Sequence, residues 1–309
     1  MTPKATTTAA ANRYASDWND YSDHWTRRYG ARYTHLGDEW NDDGTEARAR
    51  DEHYFQIYAK RFLRPDMTVL EVGPGGGKWT VRIAPLVKKV IALDVAETML
   101  ERTRERCEAA GITNVEYVAG NGTDFRPVAS QSIDLFFSYD VFVHIAIEDT
   151  FPYTGEIARV LKPGGISVCH YAVASTPGAW DRVEQYAWWY RGQAHTLGQY
   201  YYFSPESLRR MYEHAGLAVV ESHQEWCYCT VVARRLAESV VPQLEGALRA
   251  YMASAPGSQE RRAAMEELLH LPSVLQGQLD QLVSMLESAE GVEQTARVAQ
   301  RVRRLWRGL

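Results

Sequence analysis

Glu71 stands two residues ahead of Gly73, and Gly75 and Gly77 follow at alternate positions, so the segment reads E-x-G-x-G-x-G. Glycines at this spacing let the backbone adopt positive φ and approach a ligand closely. A second acid, Asp94, lies downstream, placed to accept hydrogen bonds from the hydroxyls of a ribose. Glu71 would repel a pyrophosphate but suits a ligand carrying positive charge. The dinucleotide fingerprint G-x-G-x-x-G fits Gly73 and Gly75, yet its third position is Lys78. A nicotinamide-dependent oxidoreductase is therefore the weaker reading of this loop.

The elements that must position these residues follow from the flanking sequence. Thr68–Val72 and Lys89–Asp94 are β-like runs rich in branched residues. Between them lie the glycines and then Lys78–Val87, helix-compatible as far as Pro85. Strand, glycine turn, helix and strand make one βαβ unit, with unpaired amides at the helix start available to a nucleotide-like ligand.

Downstream the chain resembles the class I S-adenosylmethionine (SAM) methyltransferases, element by element over about residues 60–235. Asn114–Val118 matches the third strand of that family and Ser132–Ser138 the fourth. Arg159–Gly165 matches the turn before the fifth strand, Ile166–Tyr171. Ser204–Gly216 matches the helix before an antiparallel pair, Leu217–Ser222 and Tyr228–Ala233. The resemblance implies an α/β fold, a doubly wound, Rossmann-like, mostly parallel sheet of seven strands. It also implies SAM as cofactor, S-adenosylhomocysteine as product and no metal. The cofactor residues it points to are Glu71, Gly73, Gly75, Asp94, Val95, Asn121, Gly122 and Tyr139. The family usually carries Gly-Asp where this chain has Gly120-Asn121, an asparagine able to bond adenine.

The loop after the fourth strand bears on the acceptor. Nucleic-acid amino methyltransferases carry Asn/Asp-Pro-Pro-Tyr there, whereas this chain has Ser138-Tyr-Asp-Val-Phe-Val-His-Ile145. With a formal net charge of −5, that pattern argues against a nucleic-acid substrate and for a small molecule. Asp140 and His144, four residues apart, would share a face of a helical turn. The S-x-D-x-x-x-H-I pattern is similar to the phosphoethanolamine methyltransferases, in which the aspartate and histidine line the acceptor site. A histidine titrating near neutrality is suited to take a proton from a hydroxyl or an ammonium. The candidate catalytic residues are His144 and Asp140, with His170 a rival for the base.

Tyr14, Trp18, Tyr21, Trp25, Tyr29 and Tyr33 recur at helical spacing near the N-terminus, with Trp40 beyond them. A second aromatic group follows the fifth strand, about residues 172–203, and includes Trp180, Trp188 and Tyr200. Most of these rings are expected to pack helices onto the sheet. An aromatic-walled substrate pocket is expected from Tyr21, Trp25, Tyr29, Trp40, Tyr171 and Trp188, suited to a flat or cationic acceptor.

The composition of the 309 residues, 45% apolar and 24% charged, is that of a globular protein. The four cysteines lack metal-ligand spacing, fit a reducing compartment and read as core packing. No run is long and apolar enough to span a membrane, and the Thr/Ala-rich start lacks the marks of a targeting peptide, so a cytoplasmic location is expected. The organisation expected is a disordered tail and aromatic lid (residues 1–60), a SAM-binding core (61–235) and a helical extension (236–309). That extension would pack on the core or form a homodimer interface. The function expected is methyl transfer from SAM to a hydroxyl or carboxyl oxygen of a small molecule, such as a specialised metabolite, with a histidine base. The alternatives are N-methylation of an amine or phosphobase, and a non-catalytic SAM-binding partner protein.

Overall fold

The computed structural model describes residues 9–41, 45–189, 191, 198–236, 250, 251, 253, 254 and 258–269. Five parallel strands form its centre: β1 (Thr68–Val72), β2 (Lys89–Asp94), β3 (Val115–Ala119), β4 (Ile133–Ser138) and β5 (Leu161–Val173). A two-residue strand, β6 (Tyr202–Phe203), pairs with the end of β5. The antiparallel strands β7 (Leu217–Glu225) and β8 (Tyr228–Arg235) complete the order β3-β2-β1-β4-β5-β8-β7. The expected seven strands are present in that path, and β6 is an eighth that the sequence did not announce. The strand order reverses between β1 and β4, which in an open α/β sheet is where ligands bind.

Consecutive strand residues feed opposite faces. Val69, Leu135 and Phe137 join Phe55, Tyr58, Trp79 and Ile83 in one apolar cluster. Leu70, Phe136 and Tyr171 join Ile157, Leu208 and Tyr212 in the other. A sheet buried on both faces explains the branched and aromatic runs of its strands. The helix after the glycine loop is short: four α-helical residues, Thr80–Ile83, then a tight turn containing Pro85. Proline cannot donate the next helical hydrogen bond and stops the helix there.

Helix α1 (Ala9–Tyr29) accounts for most of the N-terminal aromatic spacing. It lies against α4 (Glu97–Ala109), where Thr98 donates through its backbone N–H and its hydroxyl to Asn19, at 3.2 and 2.8 Å. The Tyr14 hydroxyl ties α1 to the start of α5 (Ile147–Val160), donating to Asp149 at 2.8 Å and accepting from the Ala146 N–H at 3.3 Å. Helix α6 (Pro177–Trp189) and α7 (Pro205–His214) follow β5, and α7 starts with a capping box at Ser204 and Ser207. The intervening helices are α2 (Thr45–Tyr54) and α3 (Thr80–Ile83).

Of the expected C-terminal extension, a helix at Gln259–Leu269 is described, and the leucine-rich and basic stretches beyond it lie outside the described residues. All four cysteines are free and buried. No described helix is long and apolar enough to cross a membrane.

Candidate functional site

At the reversal point of the sheet a cavity opens between the carboxyl ends of β1, β2 and β4, enclosing about 810 Å³ with its open mouth counted. Gly73, Gly75, Asp94, Val95, Gly122 and Asp140 line it, all of them anticipated from the sequence. Tyr14 and Trp18 of α1 line it too, so α1 lies across the cavity.

The glycine loop shows why glycine is needed. Gly73 has φ of +71°, and a Cβ there would sit 2.2 Å from Val141 Cγ2, so the β1 loop rests directly against the loop after β4. Gly75 has φ of +57°, and a Cβ there would meet no protein atom within 4 Å because it would project into open space. The missing side chain at Gly73 lets the two loops meet, and the one at Gly75 leaves room for a ligand.

Two carboxyl groups sit at its base. Asp94 is 7% exposed and lines the cavity, and its Oδ1 accepts the Ala96 N–H at 2.9 Å. Burial raises its pKa to about 6 against the pull of the Ala96, Gly75 and Val95 amides. Glu71 lies beneath the loop rather than on the cavity wall, accepting from the Thr80 hydroxyl at 2.7 Å. Burial raises it to about 7, opposed by that hydrogen bond and reinforced by the nearby charge of Asp94. The ionised forms of two acids at this depth would be stabilised by a ligand bearing positive charge and hydroxyl donors. The residues present therefore fit SAM, and among the described residues no group of three potential ligands could hold a metal ion.

Asn121 and Tyr139 sit otherwise than on the wall. The Asn121 carboxamide closes its own turn, accepting from the Thr123 and Asp124 amides at 2.9 and 3.0 Å and donating to Asp124 Oδ1 at 2.9 Å. Gly122, with φ of +75°, lines the cavity in its place. Tyr139 stacks on the His170 ring, centroids 4.2 Å apart and planes 6° from parallel.

The three candidate catalytic residues converge at the ends of β4 and β5. Asp140 takes a left-handed φ of +59°, which turns its side chain out of the strand line, and that side chain is 60% exposed. His170 Nδ1 lies 2.9 Å from Asp140 Oδ1, a close contact without the angle of a full hydrogen bond. Its surroundings would raise the Asp140 carboxyl by desolvation, but His170, His144 and Lys78 outweigh that and lower its pKa.

His144 ends a short 3-10 turn, Phe142–His144, and its Nδ1 is 3.1 Å from the Gln199 carbonyl oxygen. A carbonyl can only accept, so Nδ1 carries the hydrogen and Nε2 keeps its lone pair. Burial lowers the pKa of His144, against the Gln199 contact and Asp140, which raise it. The ring is therefore a neutral imidazole with one free basic nitrogen. Trp18 and Tyr200 meet it edge-on, each at 5.2 Å between centroids.

The expected aromatic pocket wall is distributed differently. Trp25 is 1% exposed in a cluster with Leu36, Ala96 and Met99 that fastens α1 to the core. Tyr21 and Tyr29 pack at the edge of that cluster, and desolvation raises Tyr21 to about 12. Tyr171 is fully buried, hydroxyl to hydroxyl with Tyr212 at 2.9 Å, and so belongs to the core. Trp188 is 68% exposed on the outer side of α6. The side chain of Trp40 lies outside the described residues. Sequence reasoning missed Leu36, Met99, Phe142, Ile145 and Tyr153 on the cavity wall. Met99 could have been found, because it stands in the first turn of the helix that follows Asp94. Tyr153 carries no such signal.

Residues 69–165 match the family model described as a methyltransferase domain. The biotin biosynthesis bifunctional protein BioHC of Cellvibrio japonicus is 34% identical over 125 residues, covering 38% of this chain and 23% of that protein. Protein-L-isoaspartate O-methyltransferase 1 of a Polaromonas species is 34% identical over 103 residues, 33% of this chain and 40% of its own length. The chain thus spans well under half the length of these two curated relatives. Among solved structures, the cyclase SpnF superposes with a TM-score of 0.52 at 15% identity, covering 64% of this chain and 85% of that one. That likeness concerns the fold alone.

Proposed function

We propose that this chain, which carries a class I SAM-dependent methyltransferase domain, methylates a hydroxyl or carboxyl oxygen of a small-molecule acceptor. The observation that carries the reading is His144, whose Nδ1 is tied to a backbone carbonyl and whose burial keeps it neutral. Nε2 is left as a base on a ring that meets Trp18 of the cavity wall.

When bound, SAM supplies a methyl group on a sulfonium, open to in-line attack, and leaves as S-adenosylhomocysteine. Gly75 and Gly122 on the cavity wall would leave its backbone contacts room, and Asp94 would accept from the ribose hydroxyls. Glu71 adds negative potential beneath the loop. His144 takes the acceptor proton at Nε2 as the oxygen gains the methyl. Asp140 stabilises the imidazolium that results. Tyr14 and Trp18 of α1 exclude water from the reacting centre.

The two relatives are named for biotin biosynthesis and for protein-L-isoaspartate O-methylation, so the shared core does not fix the acceptor. N-methylation of an amine is the second reading. The exposed carboxylate of Asp140 on the cavity wall favours it.

The test incubates the purified protein and its His144→Ala variant with methyl-labelled SAM and a metabolite extract of the source cells. Labelled products are then identified by mass. A labelled small molecule from the parent and far less from the variant supports the reading. Equal labelling by both removes His144 as base, and no labelled product from a protein that binds SAM removes the small-molecule acceptor.

A further inference from the structure

Arg182 of α6 is surrounded by rings rather than by acids. Its guanidinium carbon lies 4.5 Å from the ring centroid of Tyr186, 4.7 Å from Tyr200 and 5.2 Å from Trp226. Its Nη2 donates to the Tyr186 hydroxyl at 2.8 Å. Nε is buried with no hydrogen-bond partner, and among the described residues the groups that act on the guanidinium are Tyr200, Tyr228, Tyr186 and Cys227 rather than a carboxylate. A half-buried guanidinium is costly unless an anion meets it, and cation–π contacts offset only part of that cost.

The backbone bears strain to hold this arrangement. Trp226 takes φ of +50° in the turn between β7 and β8, a region that bulky residues seldom occupy. Gly178 makes space for its ring, because a Cβ there would sit 2.3 Å from Trp226 Cδ1. A tryptophan placed at such expense beside a cation with no carboxylate partner among the described residues reads as part of a binding surface.

The group is continuous with the candidate active site. The Tyr200 ring lies between Arg182 and His144, 5.2 Å from the latter. The Tyr200 and Tyr228 hydroxyls are 2.9 Å apart, and the Tyr228 ring lies 4.6 Å from His170, itself in contact with Asp140.

Resting on the methyltransferase reading above, we propose that Arg182 recognises an anionic group of the acceptor, whose flat body lies against the exposed ring of Trp226. The acceptor class is an aromatic acid: a ring bearing the hydroxyl to be methylated and, away from it, a carboxylate. Arg182 makes two charge-assisted hydrogen bonds to that carboxylate through its unused donors. An acceptor of net positive charge is disfavoured by the same group, which separates this class from the amine reading.

The experiment is calorimetric titration of the full chain, saturated with S-adenosylhomocysteine, with benzoate and with its neutral analogue benzamide. Benzoate is expected to bind at least tenfold tighter. Arg182→Met should abolish the preference, and Arg182→Lys should keep part of it because the charge remains without the bidentate fork. Equal affinities in the parent protein, no binding of benzoate at millimolar concentration, or a preference that survives in Arg182→Met would each overturn the proposal. Should Arg182→Met fail to fold, the parent comparison and Arg182→Lys decide. Binding of S-adenosylhomocysteine is measured first: its failure sinks the methyltransferase reading, whereas its success with no benzoate preference sinks only the anion subsite.

Discussion

Asp94 should be the proton-linked switch of cofactor affinity. In the ligand-free protein burial holds its pKa at about 6. Ribose hydroxyls donate to the ionised form, so binding must expel the proton. Between pH 8 and pH 5 that linkage alone weakens binding about tenfold, or ~1.4 kcal/mol. Glu71, at about 7, adds about a hundredfold if a positively charged ligand requires it ionised, so the two together reach ~4 kcal/mol. In Asp94→Asn the amide oxygen can still accept the Ala96 N–H, so the loop should hold, but the charge is gone. Affinity at pH 8 should fall by ~1.5–3 kcal/mol, and the pH dependence should lose the share of one proton. The assay is titration with S-adenosylhomocysteine at pH 5, 6, 7 and 8, in two buffers of different ionisation enthalpy, so that proton release is counted directly. Affinity independent of pH across that range, or a variant that binds as the parent does at pH 8, would refute the assignment of Asp94 to the ribose.

Three further outcomes follow from the same geometry. The raised carboxyls of Glu71 and Asp94 favour the folded state when protonated. Their contribution is therefore full below about pH 4 and is lost as pH rises through 6 to 7; the melting temperature of the ligand-free protein should fall over that interval. Glu71→Gln should flatten that fall and stabilise the protein at pH 8 by roughly 3 kcal/mol, read by denaturant unfolding. Gly75→Ala should cost about 1–2 kcal/mol of stability for its left-handed backbone while weakening cofactor binding at least tenfold, because the methyl enters the cavity; unchanged affinity would show that the cofactor does not reach this part of the loop. His144→Ala should lower the rate at saturating SAM by about 10²–10⁴. In the parent the rate should rise with pH and level off below 6.5, the ordinary histidine value from which His144 is lowered; a plateau reached only above pH 7 would assign the limb to another group.

The cofactor half of the site was legible because it is local. E-x-G-x-G-x-G, the next strand and Asp94 fall within one βαβ unit, where backbone geometry follows directly from residue type. The acceptor half depends on pairings far apart in the chain. Asp140 meets His170 because Ser138 of β4 is in register with Cys169 of β5, a fact no local spacing carries. The aromatic stripe showed a helix face but not its depth. Trp18 and Trp25 share that face, yet Trp18 lines the cavity while Trp25 is sealed against Leu36 and Met99. Which ring meets ligand and which meets core is decided by where α4 lies, beyond two strands and two further helices in the chain. Likewise β5 runs to Val173, longer than its apolar core suggests, because β8 supplies partners along most of it.

The contact of Gly73 with Val141 joins the two halves mechanically. Val141 follows Asp140 and begins the turn that carries His144, so a shift of the glycine loop around a bound cofactor displaces the acceptor-side turn by the same contact. In thermodynamic terms the two ligands are linked, and the linkage is reciprocal: whatever factor the cofactor contributes to acceptor affinity, the acceptor returns to the cofactor.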